Sequence, residues 1–68
     1  MKPEQVFGVN AGKVWHALKV KGALTAVAIA ADTKLKTNEV FGALGWLGRE
    51  GKIQIISGKK SVLYKLTE

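Results

Sequence analysis

The segment from Leu24 to Ile53 restricts the possible folds of this chain more than any other part of it. Apolar residues recur at helical spacing over residues 26–32 and again over residues 37–50. A polar turn over residues 33–36 separates the two patterns, and Gly51 ends the second one. We therefore predict two short helices, joined by a tight turn and followed at once by β-structure.

The flanking sequence predicts the remaining elements. Asn10 is a suitable N-cap, and apolar residues then recur at helical spacing as far as Gly22, so we expect a first helix there. Residues 1–9, with a proline and a glycine, are read as an irregular lead-in. The other expectations are a bridge strand at residues 23–24, a hairpin formed by residues 52–57 and 61–66, and N-caps at Thr25 and Thr37.

Length, composition and charge limit the class of protein. A chain of 68 residues with 47% apolar content predicts one folded domain over residues 1–68. The absence of cysteine excludes disulfides and thiolate metal sites, so we expect a homodimer to supplement the small core. The net charge of +6 is typical of nucleic-acid-binding modules, although surface lysines also serve solubility.

The sequence offers little for catalysis or membrane association. His16 has no carboxylate within a helical turn, the acids are scattered, and no phosphate-binding loop is present. We therefore expect no enzyme, no cofactor, no metal site and no small-molecule substrate. No signal peptide is apparent, and the longest apolar-rich stretch, residues 23–31, is shorter than the ~20 residues of a membrane span. A cytoplasmic location follows as an expectation.

The third predicted helix, over residues 37–50, has two contrasting sides. Its core side holds Val40, Ala43, Leu44 and Leu47, and its opposite side holds Asn38, Gly42, Gly45 and Arg49. Glycines within a helix cost ~0.8–1 kcal/mol each relative to alanine, so some close approach is expected to require them. The approaching group is a DNA backbone, a protein surface, or neighbouring parts of the same domain that accommodate Trp46 and Phe41.

Two groups of residues are candidates for binding. Asn38 and Arg49 have side chains of the kind that reads base edges, and lysines stand beside the helix start and at the hairpin tip, where they either position phosphates or only solvate turns. A protein interface is the alternative, because a large aromatic side chain beside glycines resembles an interface anchor. The candidate lysines are Lys34, Lys36, Lys59 and Lys60, and the candidate interface residues are Val6, Phe7, Gly45 and Trp46.

The chain resembles the winged helix-turn-helix superfamily. The resemblance rests on an apolar frame, LT at 24–25, IA at 29–30, Leu35, Val40, Leu44 and Leu47, and on the exit REGKI at 49–53. The segments NAGKVWHAL at 10–18 and ALGWLGREGKI at 43–53 are most similar to short stand-alone bacterial winged-helix proteins of unknown function.

This resemblance implies a small α+β winged helix with the element order α-β-α-α-β-β. It further implies a transcription regulator that binds double-stranded DNA, or else a protein-interaction module. Lys34 stands where many helix-turn-helix proteins have glycine. Carried over by position, the DNA-facing residues are Lys36, Thr37, Asn38, Gly42, Lys59 and Lys60.

Overall fold

The computed structural model describes the backbone of residues 3–67 and the side chains of residues 8–67. Three helices precede a two-stranded antiparallel hairpin, which confirms the predicted α+β fold class. Within the described residues, no helix is long and apolar enough to cross a membrane. The elements are α1 (Pro3–Lys21), α2 (Ala26–Thr33), α3 (Thr37–Arg49), β1 (Ile53–Ser57) and β2 (Val62–Leu66).

The first helix is longer than the sequence pattern predicts. It begins at Pro3, so the prediction of an irregular lead-in as far as residue 9 is wrong for the residues described there. Proline is well suited to the first position of a helix, because its missing N–H has no intrahelical partner at that position. Asn10 is not a cap but lies inside α1, where it is buried next to Ala11.

The core forms where the three helices meet. The largest fully buried side chains are Val14 and Leu18 of α1, Ile29 of α2 and Val40 of α3. The predicted core side of α3 is confirmed, since Val40, Ala43, Leu44 and Leu47 are all buried. Leu35, in the turn between α2 and α3, packs against this cluster as expected. The short helix α2 is thus held mainly by one fully enclosed isoleucine.

Threonine side chains define both ends of α2. Thr25 is the predicted N-cap, and its hydroxyl accepts a hydrogen bond of 3.1 Å from the Ala28 N–H. At the other end, the Thr33 hydroxyl donates to the Ile29 carbonyl and accepts from the Leu35 N–H. The chain then turns through Lys34, which has a left-handed backbone with φ of 61°. Among non-glycine residues of the described chain, this is the only positive φ.

The start of α3 differs by one residue from the prediction. Lys36, with extended backbone, is the N-cap, and Thr37 is the first residue of the helix. The Glu39 carboxylate accepts a hydrogen bond of 2.9 Å from the Lys36 N–H. The side chain therefore satisfies the backbone at the helix N-terminus, where a negative charge is also favourable.

The hairpin packs on the helices through Ile53, Tyr64 and Leu66, and its second strand also pairs with Leu24. Ile55 lies opposite Tyr64 in the β1–β2 register. On its other side, Tyr64 forms an isolated bridge with Leu24, confirming the predicted bridge strand, with N–H to carbonyl distances of 2.8 and 3.0 Å. Gly22 and Gly51, both with positive φ, end α1 and the turn after α3 as expected.

Replacing Lys34 by glycine is expected to stabilise the protein. A left-handed backbone is strained for a residue with a Cβ, and glycine removes this strain while making the unfolded chain more flexible. We expect Lys34→Gly to gain about 0.5–1 kcal/mol, or roughly 3–6 °C in Tm by thermal unfolding. Lys36→Gly is the matched control, because it removes a lysine from the same turn at an extended backbone. An equal gain in both variants would contradict the assignment of strain to Lys34.

Candidate nucleic-acid interface

The structure exposes almost all of the residues that the sequence singles out for DNA binding. Lys34 and Lys36 immediately precede α3, and Lys59 and Lys60 lie in the turn between β1 and β2. Thr37 and Asn38 occupy the exposed first turn of α3, and Arg49 is its exposed last residue. Gly42 is half-buried. The helix start and the hairpin turn thus present unobstructed polar side chains.

The described acidic side chains interact with other lysines or with the backbone, not with the candidate DNA-binding cations. Asp32 lies 4.0 Å from Lys21, and Glu50 lies 3.7 Å from Lys52, measured between carboxylate oxygen and Nζ. Glu39 bonds the backbone at the start of α3. Among the described residues, the cations that make no ion pair include all five candidates, namely Lys34, Lys36, Arg49, Lys59 and Lys60. Their charge is therefore available to an anionic partner.

An apolar groove lies between α3 and the hairpin. It encloses a volume of about 500 Å³, and none of its seven lining residues is charged. Phe41 on α3 is 51% exposed and Ile55 on β1 is 64% exposed. The full lining is Phe41, Leu44, Gly45, Gly48, Ile53, Ile55 and Tyr64. The sequence pattern places Ile53 and Ile55 on one face of β1, but it does not reveal that this face lies opposite Phe41.

The glycines on the groove side of α3 are not required by packing inside the domain. A Cβ at Gly45 or at Gly48 would meet no atom within 4 Å beyond the helix's own nearby backbone. This finding disfavours the interpretation that these two glycines let Trp46 and Phe41 fold against neighbouring elements. Glycine at these two positions lowers the stability of the helix, and no close contact inside the domain compensates for that loss.

Two of the predicted protein-interface residues, Gly45 and Trp46, line different depressions of the surface. Gly45 lines the groove, whereas Trp46 is half-buried, packs against the core and lines a separate crevice of about 230 Å³ beside Trp15. Val6 and Phe7 lie on the first turns of α1, and their side chains lie outside the described residues. A shared role for these four residues stays a prediction.

Comparison with known proteins identifies the family. A family model described as "Winged helix-turn-helix domain (DUF2582)" matches residues 1–66. The chain belongs to this family of winged helix-turn-helix domains. The solution NMR structure of protein BT2368 from Bacteroides thetaiotaomicron is 31% identical, with a TM-score of 0.89 over 96% of this chain and 79% of that one. The predicted resemblance is thereby confirmed.

A more distant structure shares the winged-helix fold. The AntR antimony-specific transcriptional repressor is 21% identical to this winged helix, with a TM-score of 0.71 over 82% of this chain. The chain spans only 50% of the AntR chain, so this likeness concerns the fold alone. Among curated proteins, no sequence matches this winged helix significantly.

Alanine at Gly45 or Gly48 is expected to stabilise the winged helix. Each substitution adds a Cβ in open space and raises helix propensity, for an expected gain of about 0.5–1 kcal/mol in the free energy of unfolding measured by denaturant titration. Gly51→Ala is the contrasting control, because its φ of +71° strains a side chain and loses stability. Destabilisation by Gly45→Ala would mean that the domain itself requires the glycine.

Proposed function

We propose that this winged helix binds double-stranded DNA and acts as a small cytoplasmic transcription regulator. The observation that supports this proposal best is that most of the described cations without an ion pair lie beside α3 or at the hairpin tip. The described acids are held by Lys21, by Lys52 and by the backbone of Lys36, while five cations around α3 and at the hairpin tip have no acidic partner in the described structure. Such a surface attracts a polyanion and releases its counterions on binding.

The proposed binding mode places α3 in the major groove. Thr37 and Asn38, exposed on the first turn, meet base edges there, and the Asn38 amide is suited to the donor and acceptor pattern of adenine. Lys34 and Lys36 contact phosphates beside the helix start, while Lys59 and Lys60 do so from the hairpin. Gly42 permits close approach of the helix backbone, and Arg49 contacts DNA at the far end of α3. Because most of these contacts go to phosphates, binding is expected to depend strongly on salt.

A residue-resolved NMR titration tests this proposal directly. A mixed-sequence duplex is added to the protein at low and at physiological salt, and amide shifts are followed. We expect shifts centred on Lys36, Asn38, Lys59 and Lys60 that weaken as salt rises. The absence of shifts even at low salt would overturn DNA binding.

Removing one tip lysine is expected to weaken binding to all DNA sequences alike. Lys59→Ala deletes one phosphate contact, so the slope of log affinity against log salt concentration falls by about one. Lys19→Ala is the matched control, because it removes the same charge from α1, where Lys19 lies 4.8 Å above the Trp15 ring and not on the hairpin. Equal losses in the two variants, measured by fluorescence anisotropy over a salt series, would indicate only a general charge effect.

A protein-interaction module is the alternative function, and the uncharged groove favours it. Exposed Phe41 and Ile55 offer apolar surface of the kind that is buried in protein interfaces. Under this alternative, the titration with DNA produces no shifts, whereas a protein partner perturbs Phe41, Gly45 and Ile55. The two functions therefore predict shifts with different ligands, DNA for the first and a protein for the second.

Homodimerisation is part of the proposal. A single small core limits stability, and exposed valines on α1 and α2, Val9, Val20 and Val27, add apolar surface for a second copy. Light scattering of the purified protein is expected to give about 14.6 kDa, twice the chain mass of 7.3 kDa. A mass of one chain at concentrations well above those of the binding experiments would exclude the dimer.

A further inference from the structure

The groove contains Phe41, the most exposed large apolar side chain of α3. Phe41 follows Thr37 by four residues, so both lie on the same flank of the helix, about 6 Å apart along its axis. Although Phe41 borders the groove with Ile55, half of its surface stays exposed. Burying it against a partner is favourable in proportion to the apolar area removed from water.

The surroundings of Phe41 allow a deep approach to a partner. A helix with its side chains is about 10–12 Å wide, close to the ~12 Å width of the DNA major groove. At Gly45 and Gly48 the helix has no side chains and faces open space. On this side α3 is therefore narrower than an ordinary helix, and the Phe41 ring is not flanked by side chains at positions 45 and 48.

The charges at the ends of the apolar groove favour DNA over an apolar protein surface as its occupant. One wall, α3, begins after Lys36, and the other wall, the hairpin, turns at Lys59 and Lys60. The groove lining is thus uncharged, and lysines stand next to the start of one wall element and in the turn of the other. A DNA strand matches this pattern, because it presents phosphates outside and base edges inside.

We infer that Phe41 contacts thymine methyl groups and gives this winged helix a preference for A·T pairs at the bases it faces. The inference rests on the proposed function. The C5-methyl of thymine is the apolar group that a base pair presents in the major groove, so it is the base feature with which a phenyl ring buries surface. Guanine and cytosine present polar edges at the same place, and a phenyl ring cannot hydrogen-bond to them.

The test compares two A·T-rich duplexes of identical sequence, one with thymidine and one with deoxyuridine. They have the same phosphates and the same hydrogen-bonding groups and differ only in the methyl groups. By fluorescence anisotropy, the wild-type protein is expected to bind the deoxyuridine duplex about fourfold more weakly for each methyl group contacted. Phe41→Ala is expected to bind both duplexes equally, while Phe41→Leu, which keeps an apolar side chain, retains part of the difference.

Each outcome of this comparison is decisive. Equal binding of both duplexes by the wild-type protein overturns the role of Phe41 but leaves DNA binding intact. A methyl dependence that persists in Phe41→Ala overturns it too, because the difference then arises from DNA shape. Absence of binding to either duplex at low salt overturns the proposed function and the inference together. Concentration-dependent NMR shifts of Phe41 and Ile55 without DNA would assign the groove to a second copy instead.

Thermal unfolding of the variants shows whether a loss of binding comes from a loss of folding. Phe41 is half exposed and lies outside the buried cluster, so Phe41→Ala is expected to fold. Lys59→Ala serves as the binding control, since it weakens both duplexes by the same factor and leaves their ratio at the wild-type value. A change of that ratio in Lys59→Ala would show that the methyl dependence does not belong to Phe41.

Discussion

The packing of α1 against α3 supports everything else in this domain. Val14 and Leu18 from α1 meet Val40 from α3 with no solvent access, and Ile29 brings α2 onto the same cluster. A domain this small has no second core to compensate for loss of the first. The core side of α3 is therefore fully committed to stability, so any binding by this helix must use its opposite side and its flanks.

Most of the helical framework follows from local sequence signals. Thr25 caps α2 through its hydroxyl, and Gly22 and Gly51 adopt the left-handed backbone that their positions suggest. These features depend on residues near one another in the chain, so they are readable without tertiary information. The start of α1 is not predictable in this way, because Pro3 and Asn10 each fit more than one position relative to a helix. Proline begins a helix as readily as it interrupts one, and only burial reveals that Asn10 faces the core.

Only the local features of the candidate binding surface can be predicted from the sequence. Exposed lysines in turns are evident from sequence, but the groove depends on how far the hairpin leans toward α3, which no local pattern contains. Glu39 illustrates the difference. Its negative charge alone opposes phosphate, whereas in the fold its carboxylate accepts a hydrogen bond from the Lys36 N–H and so forms part of the helix start. The acid is thus tolerated at a basic surface because it completes the backbone there.

The hairpin is anchored at its base and exposed at its tip, because Ile53, Tyr64 and Leu66 pack against the core and Leu24 bridges to Tyr64. From Tyr64 to Lys60 in the turn the chain extends four residues, or roughly 13 Å. A rotation of roughly 10° about Tyr64 would displace the tip by roughly 2 Å, which exceeds the spread of hydrogen-bond lengths. Because Tyr64 also forms part of the groove wall, the same rotation widens or narrows the space beside Phe41. Because Leu24 bonds to Tyr64, the segment between α1 and α2 holds the strand that forms one wall of the groove.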